Sequence, residues 1–116
     1  LNIEAVAEAL LFASKSGADH ARVREALLGG FASSRVLEVH GERMIKGTFE
    51  PGFRISLHQK DLNLALENAR LLNTPLPNTA MTQQLFSACA ALGGQEWDHS
   101  ALIRALETQA NFTIRK

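Results

Sequence analysis

Most of the chemistry that this sequence of 116 residues could perform rests with a lysine–aspartate pair, four histidines and one cysteine. Lys60 and Asp61 follow a glycine-containing loop, Pro51-Gly52-Phe53, that opens into a helical run. That junction is the segment where chemistry is most to be expected. The same pair can also be purely structural, with Asp61 bound to a backbone amide or a distant arginine and Lys60 a solvated lysine lying over leucines. Helical geometry turns Asp61 into the arc of Leu57, Ala65 and Leu72, where a carboxylate needs a partner, and sets Lys60 at the edge beside Leu64 and Leu71. His20, His40, His58 and His99 form no i, i+4 pair with a third ligand, so no metal site is expected and they read as core or surface histidines. Cys89 lies on an apolar stripe without a neighbouring base, which describes a buried, inert thiol. The Gly29-Gly30 and Gly93-Gly94 pairs are not a Gly-x-Gly-x-x-Gly loop after a strand, so these residues cannot cradle a dinucleotide in the usual way.

The elements that must position these groups read as helices throughout. Periodicity near 3.6 recurs between Gly, Pro, Asn and Asp, with no repeat and no useful strand-like alternation, which predicts one compact all-α domain. The first helix, residues 1–15, carries Ile3, Val6, Ala7, Leu10, Leu11 and Phe12 on most sides and gathers Glu4, Glu8 and Lys15 on one stripe, as a central helix would. Asp19 caps a short second helix that ends at Gly29-Gly30, and Ser33 or Ser34 starts a third, which Gly41 is expected to kink. Ser56 and Gln59 have capping-box spacing at the start of a fourth helix running to about Leu72. Pro77 opens a fifth with Met81, Leu85, Ala88, Cys89 and Leu92 on one stripe. Asp98 caps a last helix with Leu102, Ile103, Leu106 and Ala110 inward, and residues 114–116 are expected to fray.

Composition narrows the partners. Twelve basic residues balance twelve acidic ones, so no net field gathers nucleic acid or an anionic membrane, and the helices lack a basic face. A single cysteine excludes an internal disulfide, and no apolar stretch reaches the roughly 20 residues of a membrane span, which together point to the cytoplasm. Leu1 to Ala13 is already helical with no capping residue ahead of it, so a preceding segment is expected, and Glu4 and Glu8 are incompatible with a targeting peptide.

The run Phe49-Glu50-Pro51-Gly52-Phe53-Arg54-Ile55-Ser56-Leu57-His58-Gln59-Lys60-Asp61-Leu62-Asn63-Leu64-Ala65-Leu66 resembles the stretch of the 3-hydroxyisobutyrate dehydrogenase, or β-hydroxyacid dehydrogenase, family in which a Gly-Phe loop opens onto a Lys-Asp-Leu helix. The likeness extends to Leu76-Pro77, to Asp98-His99-Ser100-Ala101-Leu102, and to residues 1–16, which are similar to the later part of the helix linking the family's two domains. The resemblance implies a C-terminal helical domain with the 6-phosphogluconate dehydrogenase C-terminal-domain-like fold. It further implies a separate N-terminal Rossmann domain that binds NAD or NADP, and a homo-oligomer whose contacts come mostly from the helical domain.

The family's catalytic lysine would fall upstream of Leu1, so the resemblance implies no catalytic residue, and no activity, within residues 1–116 alone. Lys60 matches the lysine that reaches across the cleft toward the nicotinamide end of the cofactor and the substrate. Asp61 would orient that junction, and Phe53 would form part of the apolar wall of the substrate pocket. The implied reaction is oxidation of a hydroxyl β to a carboxylate with hydride transfer to the nicotinamide. Within the family the wording is most similar to the branch acting on sugar-derived acids such as threonate or tartronate semialdehyde. The rival reading is a non-catalytic helical dimerisation module with the apolar first helix as its interface. A lysine beside an inward aspartate at a loop–helix mouth separates the two.

Overall fold

Short polar side chains set the starts of three helical segments. Asp19 accepts from the backbone N–H groups of Ala21 and Arg22 at 2.9 and 3.3 Å, Ser34 from Leu37 at 2.9 Å, and Asp98 from Ser100 at 3.0 Å. Each satisfies amides that a first turn leaves free. The computed structural model describes residues 1–115 and contains α1 (Asn2–Lys15), α2 (His20–Leu28), α3 (Arg35–Lys46), α4 (Ile55–Leu71), α5 (Pro77–Ala91) and α6 (Ile103–Ala110). A 3₁₀ turn, His99–Leu102, runs directly into α6. Among the described residues there is no strand, only one isolated bridge between Arg54 and Asp98. The all-helical expectation therefore holds, and none of these helices is long and apolar enough to cross a membrane.

α1 is central, packing on α2, α3, α6 and the 3₁₀ turn. Its Ile3, Val6, Ala7, Leu10 and Leu11 join Leu37, Met44, Ile55, Phe86, Cys89, Leu102, Ile103 and Ile114 in one core. Each fully buried aliphatic or aromatic side chain there contributes about 1.5–3 kcal/mol. α4 and α5 form a hairpin whose base rests on the 3₁₀ turn, and α2 is peripheral, with no fully buried residue.

Three local expectations are corrected. Gly41 does not kink α3, which runs unbroken to Lys46 and ends on left-handed Gly47 at φ 71°. The lack of a Cβ at Gly41 instead admits the Arg24 side chain, which donates to the carbonyls of Leu37 and Glu38. The Ser56–Gln59 capping box does not form, because α4 begins at Ile55 after Arg54 and no side chain caps it. The first amides of α4 are taken by backbone carbonyls, Ile55 N–H by Trp97 at 2.9 Å and Ser56 N–H by Gln95 at 3.0 Å. Of the α5 stripe, Leu85 and Cys89 are buried, but Met81 and Leu92 are exposed, and Phe86 and Thr82 occupy the core instead.

The chain end is tied down as far as Arg115. Ile114 is buried, its N–H donates to Glu107 Oε2 at 2.8 Å, and Arg115 lies 3.4 Å from Glu107 Oε1. The fraying expected of residues 114–116 is thus overturned for Ile114 and Arg115, while Lys116 lies outside the described residues. Glu4, assigned to the charged stripe of α1, is also buried. Burial first, and then the neighbouring Glu8 carboxylate, push the Glu4 carboxyl up to about 7.

Candidate functional site

The loop of residues 47–54 reaches α4 over a buried carboxylate. Asp98 is fully buried, and its Oδ1 accepts from the backbone N–H groups of Gly52 and Phe53, each at 3.0 Å, and faces Arg43 Nη1 at 3.1 Å. Its Oδ2 accepts from the N–H and hydroxyl of Ser100. Burial alone would push the Asp98 carboxyl up. The Ser100 hydroxyl and the amides of Phe53, Ser100 and Gly52 outweigh it and hold the group down at about 2. Backbone pairs complete the anchor, with Asp98 N–H to Phe49 O at 2.9 Å and His99 N–H to Phe53 O at 2.8 Å. Asp98 therefore does more than cap a turn: it fixes the loop that delivers the start of α4.

Three histidines meet above this carboxylate. His58 Nδ1 lies 2.9 Å from His99 Nδ1, His99 Nε2 lies 3.2 Å from His40 Nε2, and His40 Nδ1 lies 3.9 Å from Asp98 Oδ2. Phe53 packs on this row, its ring 5.2 Å from His99 and 5.9 Å from His58, and Phe86 lies under His58 at 4.7 Å. Burial pushes all three imidazoles down, His99 to about 4, and Arg43 adds to the effect at His40 and His99. The shift favours the neutral form of each ring. The contacts join positions 41 and 59 residues apart, so no local spacing could reveal the cluster.

His40, Asp98 and His99 bring metal-ligating atoms within 4.8 Å of one another. The donor set suits hydrogen bonding better than a cation. Asp98 already accepts from two backbone segments and a hydroxyl and faces the Arg43 guanidinium, which would repel a second cation, and the His40 and His99 Nε2 atoms are spent on each other.

On the outer side of α4, Lys60 is exposed in a shallow groove of about 440 Å³ lined by Ser56, Gln59, Asn63, Leu64 and Glu67. It forms no ion pair among the described residues. A free ammonium flanked by two amides and a hydroxyl suits the oxygens of a ribose, phosphate or carboxylate. Asp61 is exposed as well, and the arc into which it turns is solvent-facing, with Leu57 43% and Leu72 74% exposed. The geometric expectation of an inward aspartate is therefore corrected: the inner face of α4 is Ile55, His58, Leu62 and Ala69. Leucines occur on almost every side of α4, so periodicity could not choose among them. The structure thus puts Lys60 in the groove, Phe53 half-buried on the histidine row, and Asp61 on a flank that lines neither. A larger apolar groove of about 740 Å³ lies away from all three, between Leu11, Phe12 and Lys15 of α1 and Leu106 and Ala110 of α6. Cys89 is buried with its thiol pushed up to about 11 by burial.

Residues 1–106 match the family described as NAD-binding of NADP-dependent 3-hydroxyisobutyrate dehydrogenase, and the chain belongs to that family. It is 72% identical over 114 residues to 2-hydroxy-3-oxopropionate reductase of Escherichia coli (strain K12), covering 98% of this chain and 39% of that protein. A probable 3-hydroxyisobutyrate dehydrogenase-like protein 1 of Arabidopsis thaliana is 33% identical over 108 residues, covering 93% of this chain and 32% of the relative. The fold superimposes on a crystal structure of 3-hydroxyisobutyrate dehydrogenase from Salmonella typhimurium with a TM-score of 0.83 at 25% identity, covering 88% of this chain and 36% of that one. The chain thus spans about a third to two-fifths of the length of these relatives.

Proposed function

We propose that residues 1–116 are the helical, cleft-closing domain of an NAD(P)-dependent β-hydroxyacid dehydrogenase. α1 would be the later part of the helix entering from an N-terminal Rossmann domain. The observation that carries this reading is Lys60, a free ammonium among polar groups on a helix start that a buried carboxylate anchors. The exposed leucines 57, 64 and 71 on the same side of α4 supply apolar surface for the facing domain to cover. The similarity to 2-hydroxy-3-oxopropionate reductase supports a sugar-derived three-carbon acid as substrate, interconverted with glycerate.

When bound, NAD or NADP supplies or accepts the hydride. Lys60 donates to cofactor ribose or substrate carboxylate oxygens, and Phe53 helps exclude water from the reacting atoms. The hydroxyl proton is handled by a group outside these residues. The protein works in the cytoplasm as a homo-oligomer.

The test is NAD(P)-dependent turnover by the full-length protein on glycerate, threonate and 3-hydroxyisobutyrate, wild type against Lys60→Ala. Glycerate oxidation with at least a tenfold loss of kcat/KM in a folded Lys60→Ala variant is expected. No oxidation of any of the three, or an unaffected variant, would leave the helical dimerisation module as the better reading.

A further inference from the structure

The row of histidines has a direction. A neutral imidazole carries one N–H and one lone pair, so each N···N contact needs one ring to donate and the other to accept. The Asp98 carboxylate faces His40 Nδ1, which is buried and otherwise without a partner, and this favours the proton on that nitrogen. His40 Nε2 must then accept from His99 Nε2–H, and His99 Nδ1 must accept from His58 Nδ1–H. The reverse order would aim a lone pair at a carboxylate. The charged groups whose fields reach the row are Asp98 beside the turn, Arg43 from α3 and Asp61 from α4, and α5 contributes the apolar Phe86.

We propose that His58, His99 and His40 are positioning residues: a one-way hydrogen-bond chain from α4 through residue 99 to α3, ending at Asp98, that sets the rotation of the first turns of α4 and so aims Lys60. This inference rests on the cleft-closing role of Lys60. Geometry supports it because α3 and α4 both pack on the 3₁₀ turn and the chain crosses between them there. His58 is two residues from Lys60 on the same helix start, and the backbone bonds of Ile55 and Ser56 fix where that start lies. Phe53 rests on two of the three rings, so the chain braces the wall and the lysine together.

The test is a double-mutant cycle in the full-length enzyme, with kcat/KM for cofactor and hydroxyacid measured well below the melting temperature. His99→Phe fills the space and removes both ring bonds. It is expected to lower kcat/KM about tenfold in the Lys60 background and less than twofold when Lys60→Ala is already present, because the histidines act through the lysine. Should His99→Phe not fold, His58→Leu cuts only the first link and keeps the apolar contact with Phe86, and it is read in the same way. Wild-type kcat/KM in a folded His variant, or equal losses with and without Lys60, would overturn the inference while leaving the role of Lys60 standing. A Lys60→Ala variant with full activity would instead remove the reading beneath it.

Discussion

Replacing Asp98 tests the anchor on which the whole junction depends. The wild-type carboxyl sits at about 2 against an ordinary 3.8, which corresponds to roughly 2–3 kcal/mol of preference for the ionised group in the folded protein. Asp98→Asn loses that charge opposite Arg43, 3.1 Å away. It also turns an amide NH₂ either toward the N–H and hydroxyl of Ser100 or toward the N–H groups of Gly52 and Phe53, leaving buried donors facing a donor. Such a conflict adds about 1 kcal/mol or more, for a total near 3–4 kcal/mol. Urea unfolding followed by circular dichroism at 222 nm would show it as a lower midpoint at unchanged slope, with a melting temperature lower by on the order of 10 °C. A loss below about 1 kcal/mol would refute the argument that this carboxylate holds the loop. The sign with pH is also set: the unfolded carboxyl binds its proton first, so the contribution is present above pH 3.8 and fades as pH falls toward about 2.

Other consequences can be checked on the same protein. His99 sits at about 4 against 6.5, so the unfolded chain takes up the proton first, and its contribution to stability, complete above pH 6.5, falls away between 6.5 and about 4. A His99→Phe variant should show a flatter melting temperature across that range, and an unchanged slope would contradict the cause. Gly47→Ala forces a Cβ onto left-handed backbone and against Arg115 Cδ, so a loss of about 1–2 kcal/mol in urea unfolding is expected, and a neutral result would count against that contact. Cys89 should react with a thiol reagent at neutral pH only as fast as the protein unfolds, and rapid labelling of the native state would contradict its burial.

Much of the fold was legible because local chemistry and tertiary structure agree. Asp19, Ser34, Asp98 and Pro77 stand where the amino acids alone put helix starts. The roll of α4 was not legible, since leucines at 57, 62, 64, 66, 71 and 72 surround it and only contact with α5 and the 3₁₀ turn selects Ile55, His58, Leu62 and Ala69 as its inner face. The Ser56–Gln59 signal misled for a related reason, because a distant backbone segment at Gln95 and Trp97 took over the amides a cap would have satisfied. Lys60 stood out from its loop–helix setting. The histidine row did not, because its members lie on three separate segments and become neighbours only through the packing that Asp98 anchors.

The measurement that bears most directly on the central claim is a crystal structure of the full-length protein with NAD or NADP and a hydroxyacid bound. The account predicts Lys60 Nζ within about 3.2 Å of a cofactor ribose or substrate carboxylate oxygen, with the Lys60 groove facing the nucleotide-binding domain. A closed complex in which Lys60 points into bulk solvent, with the ligands more than about 6 Å away, would contradict it.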